Sequence, residues 1–191
     1  MKRKKIVRVE KLTDQKWLNL YNIYYENGVC WTMASRGEVT VESINAEPKA
    51  DVVQILPHFK KDGEDFVVLI KEFRYTINRW VYDLPAGLLS GKSIEETVKE
   101  ELWQEIGAKL LSFEQLKNGY SSVGMTDEHM ADIAAEISFE LCEQHLEDCE
   151  EIERVVIKTC DIPEFLKKDN YITRAATLLL MFYYEKQKNK N

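Results

Sequence analysis

The chain has 191 residues, 45% of them hydrophobic, and carries 26 basic and 33 acidic side chains for a net charge of −7. That is enough apolar material for one substantial core plus a small extra module, and the acidic balance argues against a surface built to attract nucleic-acid phosphates. The longest apolar stretch, Ala175 to Tyr184, holds ten residues, against the roughly 20 that a bilayer-spanning helix needs, so no membrane partner is expected.

No apolar run follows the basic Met1-Lys2-Arg3-Lys4-Lys5, which reads as a disordered, solubilising end and not as a signal peptide. Cys30, Cys142, Cys149 and Cys160 show no close pairing and no zinc-ligand spacing. They are expected to be free thiols of a cytoplasmic protein.

In chain order, Ile6 to Glu10 and Trp17 to Tyr25 alternate as strands, and Glu26-Asn27-Gly28 is a hairpin turn signal before Cys30 to Ala34. Glu38 to Glu42 continues the series. These first residues, 1–47, predict a small antiparallel module that cannot bury a core alone and must pack on the remainder or on another subunit. Residues 48–191 predict the larger domain. Its strands are Asp51 to Leu56 and Asp65 to Phe73, separated by the turn Lys60-Lys61-Asp62-Gly63, and then Trp80 to Leu84. A helix follows from Ser93 to Gly107, then strands at Lys109 to Leu116, Asn118 to Ser121, Asp132 to Phe139 and Glu153 to Lys158. Asp161 should cap a short helix with Pro163 in its first turn, and Thr173 to Lys186 should form a strongly apolar helix covering one sheet face. The sum is an α/β layered domain with a mixed sheet.

The helix after Ser93 is the most informative element. Ser93 and Glu96 form a capping box, and Gly107 supplies a left-handed C-terminus. Ile94, Val98, Leu102 and Ile106 make its apolar stripe. Glu101 and Glu105, four residues apart, bring two like charges to within about 5–6 Å at Cβ, with Gln104 alongside. Two readings of this face stay open on charge pattern alone: a solvated acidic surface, or oxygen ligands for Mg²⁺ or Mn²⁺.

Pro85-Ala86-Gly87 before this helix, followed by Glu101-Leu102, Glu105 and Gly107, resembles the Nudix hydrolase signature. The loop is one residue short, Glu100 stands where the family has Arg, Gln104 where it has Glu, and Lys92 replaces the loop glutamate. The sign exchange between Lys92 and Glu100 suggests that these two side chains pair across loop and helix. The resemblance implies a Nudix-type α/β/α sandwich with a mixed sheet, and metal held by Glu101, Glu105, Gln104 and the backbone carbonyl of Ala86.

Three further constellations fit the same family. Arg74 beside Tyr75, read alone, is a surface ion pair; next to a metal-holding helix it suits phosphate, to which a planar guanidinium fork is matched. The polar loop from Tyr120 to His129 resembles the loop that carries the catalytic glutamate in the ADP-ribose pyrophosphatase branch, with Glu128 at the matching place and His129 the other candidate base. Trp17, Trp31 and Arg36 resemble that branch's adenine clamp and substrate arginine, although two tryptophans could equally pack the module onto the domain.

The resemblance implies Mg²⁺-dependent hydrolysis of a small-molecule nucleoside diphosphate sugar, with ADP-ribose giving AMP and ribose 5-phosphate, by a homodimer with interlocked N-terminal modules. Glu101, Glu105 and Glu128 would be its catalytic carboxylates, and Arg74, Arg36, Trp17 and Trp31 its substrate contacts. A second class, a degenerate domain that binds a nucleotide ligand as a sensor, is favoured by Gln104 and Glu100. An isomerase acting on isopentenyl diphosphate lacks its characteristic cysteine and glutamate here.

Overall fold

The computed structural model describes residues 3–168 and 170–188. Met1 and Lys2 of the terminal basic cluster lie outside them. Arg3 and Lys5, expected in a disordered end, instead form ion pairs with Glu47 and Glu26 at 2.9 and 2.7 Å.

The chain divides into two compact units, Met1–Val52 with Asn118–Met130, and Val53–Lys117 with Ala131–Asn191. The first is built on the antiparallel sheet β1 (Ile6–Lys11), β2 (Asn19–Tyr25) and β3 (Cys30–Ser35). Alternation along these strands places Ile6, Tyr21, Ile23 and Met33 on one face, where with Val39 they form a small buried cluster of the unit's own. Glu38 to Glu42, expected as a strand, departs from that reading. Thr40 and Ser43 satisfy each other's backbone N–H groups in a capping box, and α1 (Val41–Asn45) starts there. The segment Asn118–Met130 belongs to this unit because three consecutive residues at the end of β3 hold it. Ala34 N–H donates to Met125 O at 2.8 Å, Ser35 Oγ to Asp127 Oδ2 at 3.0 Å and Arg36 Nε to Glu128 Oε2 at 3.2 Å.

The larger sheet contains β4 (Val52–Lys61), β5 (Glu64–Arg74), β6 (Arg79–Asp83), β7 (Ala86–Leu88), β8 (Leu110–Tyr120), β9 (His129–Ile137) and β10 (Ile152–Lys158). Its main order is β10-β5-β4-β9-β8, with β6 paired to β5 and β7 to β4. The β4–β5 hairpin turns on Asp62 and Gly63, both at positive φ, the geometry whose twist suits adjoining strands. One strand, β8, replaces the two expected between Lys109 and Ser121, and β7 has only three residues.

Helices flank β5 on both faces. Val67 and Leu69 join Leu56, Leu84, Ile162, Phe165, Leu178, Leu179 and Phe182 in one buried cluster under α3 (Ile162–Phe165) and α4 (Thr173–Lys188). The intervening residues Ile70 and Glu72 face the other way, toward α2 (Ile94–Ile106), whose Val98, Leu102 and Ile106 are fully buried. Each such aliphatic side chain contributes about 1.5–3 kcal/mol by leaving water. This is the α/β/α sandwich expected from the sequence. Asp161 does not cap α3: its backbone is already helical and its side chain makes no capping bond, because a 3₁₀ turn at Thr159–Asp161 leads straight into the helix.

Candidate active site

α2 is fixed at both ends by its own sequence. Ser93 accepts from Glu96 N–H while Glu96 returns a carboxylate to Ser93 N–H at 2.9 Å. Gly107 closes the helix at φ 63°, a conformation that costs glycine little. A Cβ there would stand 2.4 Å from the Cys142 carbonyl oxygen. The last turn carries no basic residue of its own. Its carbonyls are answered from elsewhere: Arg154 Nη1 donates to Ile106 O at 2.5 Å and to Cys142 O at 2.8 Å, and Gln144 Nε2 donates to Glu105 O at 2.5 Å.

This anchored helix presents Glu101 and Glu105 to the Ala86-Gly87 strand. Glu105 is 4% exposed and accepts the Ala86 N–H on Oε2 at 3.2 Å. Glu101 packs on Gly87 so closely that a Cβ on that residue would lie 1.8 Å from Glu101 Oε1. The glycine therefore makes room for a carboxylate, not for a turn. Burial, reinforced by Glu150, Glu100 and Glu147, pushes the Glu101 carboxyl up to about 7. Burial and then the charge of Glu101 push Glu105 well above the ordinary carboxylate range. Lys92 and Glu100 are in hydrogen-bonding contact, as their exchanged charges suggested.

Ala86 and Glu105 line a cleft of about 300 Å³ with Ile70, Glu72, Arg74 and Glu150. Arg74 is itself exposed, but its ion-pair partners are buried acids. Nε stands 2.7 Å from Glu72 Oε1 and Nη2 3.6 Å from Asp83 Oδ2, and the Asp83 side chain is only 2% exposed. Burial first, and Asp83 in addition, raise Glu72 to about 7 against the lowering influence of Arg74. The sequence reading missed Glu72, Glu150 and Glu151 as cleft acids. Glu72 was visible two residues before Arg74 on the same strand face, whereas Glu150 and Glu151 lie in a segment with no periodic signal.

The other expected residues, Gln104 apart, lie in the first unit. Glu128 accepts from Arg36, and its own N–H donates to Thr126 Oγ1 at 2.9 Å. His129 is buried and braced by Asp51, whose Oδ2 accepts its backbone N–H at 2.9 Å, and its ring meets Tyr120 edge-on at 4.9 Å. Trp17 and Trp31 are 68% and 53% exposed, so neither indole is spent on packing; Lys16 Nζ lies 4.2 Å from the Trp17 ring. Gln104 is half-buried, with its backbone carbonyl accepting from His145 N–H at 2.8 Å.

Among the described residues no group of three or more His, Cys, Asp or Glu side chains forms a ready cage for a metal ion. The donor chemistry nevertheless fits a hard divalent cation. Two carboxylates are held together against burial and mutual repulsion, beside a glycine whose missing side chain one of them occupies.

No family model matches the chain. An uncharacterized Nudix hydrolase of Schizosaccharomyces pombe is 31% identical over 174 residues, covering 85% of this chain and 82% of that protein. This chain belongs to the Nudix hydrolase family. An ADP-ribose pyrophosphatase of Saccharomyces cerevisiae is 28% identical over 171 residues, covering 84% of this Nudix hydrolase and 72% of the yeast protein. The crystal structure of an ADP compounds hydrolase superposes with a TM-score of 0.71 at 17% identity, over 98% of this chain and 97% of that one, and so shares its fold. No helix among the described residues is long and apolar enough to cross a membrane.

Proposed function

We propose that this Nudix hydrolase cleaves the diphosphate linkage of a nucleoside diphosphate sugar, with ADP-ribose giving AMP and ribose 5-phosphate, and that it requires Mg²⁺ or Mn²⁺. The observation that carries the proposal is the charge of the cleft. Glu72, Glu105, Glu150 and Glu151 line it against a single arginine, Arg74. Once these acids are ionised, a diphosphate approaching such a wall is repelled unless cations stand between. The name of the yeast relative supports the choice of substrate.

When bound, a divalent ion would neutralise the diphosphate and make an attacking water more acidic. Glu101, Glu105 and the Ala86 carbonyl are its donors in this proposal, and Gln104 would add a neutral amide oxygen. Arg74 uses two of its nitrogens on Glu72 and Asp83, which leaves Nη1 for a phosphate oxygen and fixes the plane of the fork. Glu128 takes the proton from the attacking water. In this structure it is held by Arg36, so the role requires Arg36 to turn to the substrate. Trp17 and Trp31 offer open indole faces for adenine. A second subunit would cover part of the exposed apolar surface of this unit, to which Trp17, Leu18, Leu20 and Trp31 contribute. Cys30, Cys142, Cys149 and Cys160 are all free and exposed, which suits a reducing cytoplasm.

The test is to incubate the purified protein with ADP-ribose, other ADP- and UDP-sugars and dinucleotides, with Mg²⁺ or Mn²⁺, and to measure AMP, UMP and sugar phosphate. Metal-dependent AMP release from ADP-ribose, abolished in Glu101→Gln, is the expected result. Absence of turnover across the panel, with tight binding of one compound, would replace this reading by a sensor role.

A further inference from the structure

β5 gives one edge to β10 from Phe66 to Glu72, so β4 and β6 must share the other. β4 pairs as far as His58 opposite Val67, and β6 takes over at Asp83 opposite Ile70. The two strands part between these points. A polar pair fills the fork: Gln54 and Asp83, 0% and 1% exposed. Gln54 Nε2 donates to Asp83 Oδ1 at 3.0 Å, and Gln54 Oε1 accepts from Arg174 Nε on α4 at 2.8 Å. Asp83 Oδ1 also accepts the Leu84 N–H at 2.8 Å, while Oδ2 faces Arg74 Nη2 at 3.6 Å. A polar thread therefore runs from α4, through the sheet, to the arginine of the cleft, its last link an ion pair and not a hydrogen bond.

The chemistry of each link fixes the next. A guanidinium can only donate, so Arg174 holds the Gln54 amide with its oxygen toward α4 and its NH₂ toward Asp83. The amide and Leu84 N–H together occupy one carboxylate oxygen, and the other is left to Arg74. A fork of this size could be filled by an apolar side chain without the desolvation cost of a buried amide and acid. The polar filling thus serves orientation. We propose that Gln54 and Arg174 are positioning residues: by holding Asp83 they fix the guanidinium of Arg74 in the plane that meets phosphate. The proposal rests on the phosphate-holding role given to Arg74 above.

The test uses Gln54→Leu, Arg174→Met and Arg174→Lys in the full chain, with two readouts. One is the Arg74 Nη–H resonance of the protein alone, assigned by its loss in Arg74→Lys. The other is steady-state hydrolysis of ADP-ribose with Mg²⁺. Gln54→Leu and Arg174→Met should speed solvent exchange at the Arg74 Nη groups and raise KM roughly tenfold with kcat little changed, the loss expected when a bond to a charged group is removed from substrate binding. Arg174→Lys should recover most of both, since its ammonium can still donate to Gln54 Oε1. If Gln54→Leu fails to fold, Arg174→Met decides, because Arg174 stands at the partly exposed end of the thread. An unchanged Arg74 resonance and KM in folded Arg174→Met, or a fall in kcat at constant KM, would overturn the inference. Should the parent protein hydrolyse nothing in the panel while the Arg74 resonance still responds to Arg174→Met, the thread stands and the substrate reading falls.

Discussion

Removing divalent cations should make this protein lose stability as the pH rises through neutrality. The Glu101 carboxyl is raised from 4.5 to about 7. The folded state therefore holds this proton more tightly than the unfolded chain does. The stabilisation is complete below about pH 4.5 and is lost as pH rises through about 7. At about 1.4 kcal/mol per tenfold change in affinity the full effect is about 3.5 kcal/mol, and solvent screening of a partly exposed group reduces it to about 1–2 kcal/mol. In a chain of this size that is roughly 3–6 °C in Tm. Glu105, Glu72 and Asp83, all raised chiefly by burial, act with the same sign, and His58, lowered by burial, opposes them. The assay is thermal unfolding from about pH 5.5 to about pH 8 with a chelator present, in the parent and in Glu101→Gln. The parent should melt lower at the alkaline end, Glu101→Gln should flatten the slope, and Mg²⁺ should reverse it, because it binds the ionised acids. An identical slope in Glu101→Gln, or no response to Mg²⁺, would refute the reasoning.

Gly87→Ala should leave the fold intact and cut turnover at least tenfold, since the new Cβ would displace the Glu101 carboxylate and not backbone; comparing Tm with kcat checks this. Gly107→Ala should instead destabilise the protein by more than the ~1 kcal/mol of a left-handed alanine, because its Cβ also meets the Cys142 carbonyl; urea unfolding measures it. Leu179→Ala, at a fully buried position on the inner face of α4, should cost about 2–5 kcal/mol in the same experiment with the cleft unchanged. Trp31→Ala should raise KM for ADP-ribose with no loss of stability, since its indole is largely exposed.

What the sequence made legible was local. The hairpin at Glu26-Asn27-Gly28, the Asp62-Gly63 turn, the Ser93–Glu96 capping box and the stop at Gly107 are each written in a few adjacent residues, and the structure keeps them all. The Lys92–Glu100 pair spans eight residues and was readable from exchanged charge. Two failures have local causes. Thr40 and Ser43 form a capping box without the usual Glu or Gln at its third position, so the alternation of Glu38 to Glu42 looked like strand. Asp161 resembled a cap, but helical backbone already begins before it. The remainder was hidden by distance along the chain. Gln54, Asp83 and Arg174 are scattered across 120 residues, and only folding shows that the sheet forks where they meet. The residues Asn118–Met130 joined the first unit through bonds to Ala34, Ser35 and Arg36 that no periodicity announces.

α2 carries Glu101 and Glu105 in its last two turns, where aligned peptide dipoles gather a negative partial charge of roughly half an electron. Many phosphate sites use the opposite end of a helix, whose free N–H groups take the anion directly. On the proposed reading the helix would show phosphate its unwelcoming pole, even though Gly107, His145, Gln144 and Arg154 each donate to a last-turn carbonyl. Under the proposed function, ligand addition would therefore be ordered, the divalent ion arriving before or with the nucleotide. A chelator should consequently abolish nucleotide binding itself, and not merely the turnover of nucleotide already bound.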